Sequence, residues 1–171
     1  SGNGNVGSFT TGAAPFWAKG KIGKAGVFDG SATRLAITNT SGLTPTTLSQ
    51  TAWVYPKSFG SGEAIYNWRN TSNVGGVTTE LDGTSGNVRC YYYISGGWRS
   101  AALSGSYALT QNAWNHVACT YDGTTIRAYK NGKLAASTTY AGSINSPSSP
   151  LYMIGKNVQT NVFWDGYIDE V

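Results

Sequence analysis

Eight carboxylates are spread through the 171 residues: Asp29, Glu63, Glu80, Asp82, Asp122, Asp165, Asp169 and Glu170. Glycoside hydrolysis needs two of them facing one another across a bond, about 5–9 Å apart, one as acid and the other as nucleophile or base. On a strand that means positions two apart. Glu80 and Asp82 have that parity, but Asp82 abuts Gly83 and reads as turn chemistry. Asp169 and Glu170 are adjacent and point to opposite faces if extended. His116 is the sole histidine, so a metal site using several histidines is impossible, and no Ser-His-Asp or Cys-His arrangement is suggested. No phosphate-cradling glycine loop stands before a helix. The chain is expected not to be an enzyme.

The aromatic residues carry more chemistry. Six Trp, 11 Tyr and 5 Phe make up 13% of the chain. Sugar rings have apolar faces that lie against Trp and Tyr, while Arg, Asn and Glu hydrogen-bond their hydroxyls. Between Asn87 and Ile94, alternation puts Val88, Cys90, Tyr92 and Ile94 on one face and Arg89, Tyr91 and Tyr93 on the other. With the first set in a core, the second is an exposed Arg-Tyr-Tyr stripe. Trp98-Arg99 follows a Gly-Gly turn, and Trp68-Arg69 ends another strand-like run. Tyr66, Trp68, Arg69, Glu80, Arg89, Tyr91, Tyr93 and Trp98 are therefore the candidate ligand-binding residues, on a concave aromatic-lined face. In the competing reading these rings merely cover a sheet or a neighbouring domain.

Charge narrows the partners. Lys and Arg number 12 against 8 acids, a net charge of +4, and the basic residues are scattered singly. Without a basic run or a recognition motif, nucleic acid is not an expected partner. No apolar stretch approaches ~18 residues, so no membrane-spanning helix and no membrane insertion are expected. Charged residues are only 12% of the chain, about half the ~25% of ordinary soluble domains. With abundant Ser, Thr, Asn and Gly and just two cysteines, Cys90 and Cys119, this fits an oxidising compartment, outside the cell or on its surface. A Cys90–Cys119 disulfide and two buried free thiols both remain open at this point.

Short strands must position these groups. Glycine-rich composition and scarce helix formers suit strands joined by tight turns. Runs at 27–29, 35–37, 51–55, 64–68, 76–81, 87–94, 98–103, 114–121, 125–130, 133–136, 151–155 and 167–171 read as strands. Asp122-Gly123 and Asn131-Gly132 sit between three of them, a strong hairpin signal. Residues 1–20 read as irregular chain anchored by Phe9, Phe16 and Trp17, and 41–50 and 142–150 as loops. Trp53, Trp114, Val117, Cys119, Tyr121 and Ile126 are expected between two sheets. No sustained 3.6-residue period appears, so the fold class is all-β, a two-sheet antiparallel sandwich formed by a single domain over 1–171.

Four phrases in order carry a family resemblance. Ser1-Gly2-Asn3-Gly4-Asn5 with Gly20–Gly30, Thr51-Ala52-Trp53-Val54, Trp114-Asn115-His116-Val117-Ala118 through Tyr129-Lys130-Asn131-Gly132-Lys133, and Leu151–Gly155 with Asp165–Val171 resemble laminin-G-like jelly rolls of the concanavalin A-like lectin/glucanase superfamily. The resemblance implies a jelly-roll sandwich and an extracellular binding module, for glycan recognition or adhesion, with a structural or adhesive module of a surface filament or surface layer as the alternative. Its implied partners are a glycan or a cell-surface protein, with self-assembly alongside other domains or subunits as a further expectation. The E-x-D-x-x-E pattern of the superfamily's glucanases is absent. Relatives often hold a structural Ca2+ near the positions of Asp29 and Asp169, although Thr33-Arg34 stands where many carry an acid and an aromatic, and a guanidinium there opposes a cation. Members also carry further strand segments before and after the matched phrases, so the chain is expected to be excised from a longer multidomain protein.

Overall fold

The computed structural model describes residues 6–10, 16–38 and 45–171. The opening Ser1–Asn5 phrase and the first part of the 41–50 segment lie outside the described residues. In chain order the strands are β1 (Val6–Thr10), β2 (Trp17–Lys19), β3 (Lys24–Asp29), β4 (Arg34–Thr38), β5 (Leu48–Pro56), β6 (Ala64–Arg69), β7 (Val77–Leu81) and β8 (Val88–Ile94). They continue as β9 (Gly97–Leu103), β10 (Asn115–Tyr121), β11 (Thr125–Lys130), β12 (Lys133–Thr139), β13 (Leu151–Ile154), β14 (Lys156–Asn157), β15 (Val162–Phe163) and β16 (Asp165–Asp169). Two seven-stranded antiparallel sheets result, ordered β1-β4-β13-β6-β7-β8-β9 and β12-β11-β10-β5-β16-β3-β2. A small β14–β15 ribbon accompanies them. The all-β jelly-roll sandwich is thus the architecture of this chain.

The turn chemistry closes the hairpins as expected. Gly123 has φ +96, and Asn131 and Gly132 have φ +49 and +78, the paired positive values of a two-residue hairpin loop. Asp122 accepts hydrogen bonds from the N–H groups of Thr124 and Thr125 at 2.9 and 2.8 Å, and the Asn131 side chain accepts from the His116 N–H at 2.8 Å. Two strands arise where irregular chain was expected: β1 pairs with β4, and β2 with β3. Phe9 and Phe16 hold that edge together, with ring centroids 5.2 Å apart. β5 also starts earlier than its aromatic run suggested, because Leu48 and Ser49 find partners in Tyr121 and Thr120.

Alternating residues fill the space between the sheets: Val54, Leu81, Val88, Tyr92, Leu103, Tyr121, Ile126 and Trp164 are all buried there. Thr79 and Tyr92 direct their hydroxyls inward and share the Gln50 carbonyl oxygen at 3.1 and 3.4 Å, while the Gln50 amide nitrogen is without a hydrogen-bond partner among the described residues. Cys90 in β8 and Cys119 in β10 form a disulfide with their Cα atoms 5.6 Å apart, tying one sheet to the other. Trp53 and Trp114 correct the expected core. Ala52 and Val54 take the inward positions of β5, which leaves Trp53 half-buried on the outside opposite His116. Trp114 lies just before β10 and packs against Tyr55 and Tyr167 on that same outer side.

Candidate functional site

The outer face of the first sheet is set by parity. In β7, Val77, Thr79 and Leu81 turn inward, so Thr78 and Glu80 turn outward. Register then places Arg89 opposite Glu80 and Tyr91 opposite Thr78 in β8, and Trp98 opposite Tyr93 in β9. In β6, Trp68 stands opposite inward-facing Val77, while Asn67 stands opposite Thr78. Asn67 and Arg69 are therefore the outward residues of that strand.

This parity corrects two expected site residues. Trp68 is wholly buried and stacks on Tyr152 with centroids 5.6 Å apart and an interplanar angle of 19°. Tyr66 lies opposite Thr79 and packs against the core. Burial, reinforced by Tyr152 nearby, pushes its phenol above the ordinary range. Adjacent residues of a strand cannot share a face, so Arg69 on the outside requires Trp68 within. The other six, Arg69, Glu80, Arg89, Tyr91, Tyr93 and Trp98, do come together.

At their centre Glu80 is 1% exposed. Its Oε1 accepts from Arg89 Nε and Nη2 at 2.8 and 2.6 Å, and its Oε2 accepts from Asn157 Nδ2 at 2.6 Å. Arg69 Nη1 lies 3.9 Å from Oε2. Asp82 meets Arg89 from the other side at 3.4 Å. The two guanidinium groups differ accordingly. Burial lowers the pKa of Arg69, only partly offset by Glu80. Arg89 also loses solvation, but the charge and hydrogen bond of Glu80, with Asp82, raise its pKa overall.

Above this carboxylate the side chains form a row. The Arg69 guanidinium lies 4.2 Å from the Trp98 ring centre, Trp98 stacks on Tyr91 at 4.5 Å and 25°, and the Arg89 guanidinium lies 4.4 Å from the Tyr91 ring. Tyr93 meets Trp98 edge-on at 5.3 Å. The row is pinned at its Arg69–Trp98 end: Trp98 Nε1 donates to the Asn73 carbonyl at 3.0 Å, and Arg69 Nη2 donates to Gln159 Oε1 at 3.0 Å and to Asn73 Oδ1. The rings thus spend much of their faces on one another and on the guanidinium groups. A ligand meets ring edges, phenol hydroxyls, the outer side of Tyr93 and the exposed third of Arg89. Beneath them, fully buried Asn67 has neither amide atom hydrogen-bonded, nor has Arg69 Nε, among the described residues. That is polar capacity of a kind folded proteins seldom leave unused.

Sequence reasoning missed Asn67, Asn73, Thr78, Asn157 and Gln159. Asn67 and Thr78 follow from strict alternation once Arg69 and Glu80 are placed outside. Asn73, Asn157 and Gln159 arrive from segments whose approach only the fold determines.

The expected calcium pair does not assemble. Asp29 stands opposite Asp165 at the start of β16, and Asp169 lies at its far end, a separation of roughly 13 Å at ~3.3 Å per residue. Asp29 Oδ1 accepts from the N–H groups of Ser31, Ala32 and Thr33 at 2.9–3.0 Å, which outweighs desolvation and holds its carboxyl below the usual range. Asp169 accepts from the N–H groups of Ile22 and Glu170, each at 3.0 Å. Both carboxylates serve backbone turns, and they do not fit one shared ion. Among the described residues no group of three or more His, Cys, Asp or Glu side chains gathers closely enough to hold a metal.

Residues 29–171 match the laminin-G-type family model described as the concanavalin A-like lectin/glucanases superfamily, and the chain belongs to that family. Among solved structures it is similar to domain 4 of AbnA, a GH43 extracellular arabinanase from Geobacillus stearothermophilus, in complex with arabinotriose (21% identity, TM-score 0.74, covering 95% of this chain and 79% of that one). It is also similar to the CBM40 of a Ruminococcus gnavus IT-sialidase bound to α2,3-sialyllactose (14% identity, TM-score 0.64, 76% of each chain). A third is the LG4-5 pair of the mouse laminin α1 chain (14%, TM-score 0.61, 84% of this chain and 38% of that one). At these identities the likeness speaks for the fold. The comparison with curated proteins finds no significant match.

Proposed function

We propose that the chain is a carbohydrate-binding module of a secreted or cell-surface protein, engaging a glycan through Arg89, Tyr91, Tyr93 and Trp98 without catalysing a reaction on it. The observation that carries this reading is the ordered row of half-buried rings and guanidinium groups fixed from below by buried Glu80. Burying a carboxylate and an arginine is a weak source of stability, so the sandwich has little need of this construction. A surface that must present planar groups and hydrogen-bond donors in a set geometry does, because ordering them beforehand lowers the cost of binding. Similar sandwiches in complex with arabinotriose and sialyllactose support the glycan class. Glu80 already directs both oxygens to Arg89 and Asn157, so it is not free to act with Asp82 as a carboxylate pair across a glycosidic bond.

The test is a glycan array on the purified chain beside Tyr91→Ala and Trp98→Ala. We expect selective binding by the wild type, a loss of at least tenfold in either variant with the fold retained, and no release of reducing ends from bound oligosaccharides. Equal binding by both variants would overturn the site assignment, and reducing-end release would overturn the binding-only role.

A further inference from the structure

The row of rings and guanidinium groups differs between its two ends. At the Arg89 end charge reaches solvent, through the exposed part of the guanidinium and the exposed Asp82 carboxylate beside it. At the Arg69 end charge is hidden. The Arg69 Nη atoms turn to Glu80, Asn73 and Gln159, and its face lies on Trp98. The Trp98 N–H is likewise spent, on the Asn73 carbonyl.

Two apolar side chains stand at this second end. Leu151 in β13 is the register partner of Arg69, while Tyr152 beside it turns inward onto Trp68. Leu151 therefore points outward with Arg69, their Cβ atoms about 5 Å apart, and it is 42% exposed. Val74 follows Asn73, the residue that holds both Arg69 and Trp98, and it is 54% exposed. Single exposed apolar side chains are ordinary on a protein surface. These two differ in adjoining the same guanidinium and the same ring.

Both are fixed in place. Leu151 belongs to a paired strand. The segment bearing Val74 is tied down by three hydrogen bonds. Asn70 Nδ2 donates to the Ser148 carbonyl at 3.1 Å, the Ser72 N–H to Asn70 Oδ1 at 3.1 Å, and the Gly76 N–H to the Asn145 carbonyl at 2.7 Å. A sugar hydroxyl set against valine and leucine loses water without gaining a hydrogen bond. A methyl group in the same place gains about fourfold in affinity from its burial.

We infer that the glycan residue held at the Arg69–Trp98 end carries a methyl group, from an acetyl substituent or a 6-deoxy position, packed against Val74 and Leu151; this rests on the glycan reading above. The remainder of the glycan meets Tyr91 and Arg89 with its hydroxyls. No charge takes part in the discrimination, so it is insensitive to salt.

An array of matched sugars, probed with the 171-residue protein, tests it. The pairs are L-fucose against L-galactose, N-acetylglucosamine against N-formylglucosamine, and acetylated xylo-oligosaccharides against the same material after saponification. We expect the methyl-bearing member of at least one pair to bind at least fourfold more tightly, at low and high salt alike. Which pair responds distinguishes acetyl from 6-deoxy. Val74→Ser/Leu151→Ser, at two exposed positions, is expected to bring the members of that pair within twofold of one another. Leu134→Ser, at an equally exposed position on β12 of the other sheet, is expected to keep the preference. Sugar binding that Tyr91→Ala abolishes but that favours no methyl-bearing member would overturn this inference and leave the glycan site standing. A preference that survives the double variant, fades with salt or disappears in Leu134→Ser would do the same. Absence of binding to any sugar on the array would overturn both.

Discussion

Glu80 and Glu63 are both buried carboxyl groups, and their neighbours give them opposite fates. Glu80 has guanidinium partners, so removing it strands Arg69 in a site that is 2% exposed. Glu80→Ala is expected to destabilise the fold by about 3–5 kcal/mol, read as a shift in urea midpoint, and to loosen Arg89 and Tyr91 with it. Glu63 is 5% exposed, and its Oε2 has no hydrogen-bond partner among the described residues. Burial, strengthened by the charge of Asp165, outweighs backbone hydrogen bonds and raises its pKa to about 7 from 4.5. The native state therefore holds this proton more tightly than the unfolded chain does. Stability is greatest below pH 4.5 for this group and falls as pH rises towards 7, by up to about 3 kcal/mol. Glu63→Gln, which mimics the protonated acid, is expected to stabilise the protein at pH 8 and to make no difference near pH 4. Thermal melts of both proteins across that range check the sign; equal Tm differences at both ends would contradict it.

At the level of elements, hairpin chemistry was the most legible part of the sequence, because Asp122-Gly123 and Asn131-Gly132 act locally. Alternation was equally reliable in β8, where Cys90 and Tyr92 face the core and Arg89, Tyr91 and Tyr93 do not. It failed where residue type was allowed to override it. Trp68, aromatic and beside Arg69, has the residue type of a ligand contact, but its neighbour on the strand takes the outward position and leaves it the inward one. Trp53 and Trp114 have the residue type of a core, yet both lie half-buried on the outer face. β1 and β2 were hidden because Gly7 and Ala18 carry little strand signal, and their pairing depends on distant β4 and on β3. Gly76 shows a constraint that only the assembled sheet reveals. It has φ +90, and a Cβ there would stand 1.8 Å from the Trp68 carbonyl oxygen. Gly76→Ala is therefore expected to cost about 2–3 kcal/mol and to disturb the β6–β7 pairing that carries Arg69 and Glu80, reducing glycan binding along with Tm.

For the molecule as a whole, the pairing is dominated by contacts distant in sequence. β13 enters between β4 and β6, and β5 lies between β10 and β16. Such topologies close large loops before those contacts return any stability, which places folding on the millisecond-to-second scale. The Cys90–Cys119 bond bears directly on that barrier, because it fixes one long-range contact between the two sheets in advance, across a sequence separation of 29. The chain-entropy relation gives about 3–4 kcal/mol for a loop of that length, worth roughly 10 °C in Tm for a chain of this size. Cys90→Ala/Cys119→Ala is expected to show that loss. If the sheet-to-sheet contact forms in the transition state, most of the loss falls on the refolding rate; if it forms later, it falls on unfolding. Because β8 and β10 lie in the interior of their sheets and the bond links them where Thr79 and Tyr121 pack, the expectation is slower refolding with a nearly unchanged unfolding rate. Stopped-flow fluorescence from urea with the oxidised and the double-alanine proteins measures both limbs. A change confined to unfolding would mean that the sheets acquire their structure separately and dock late.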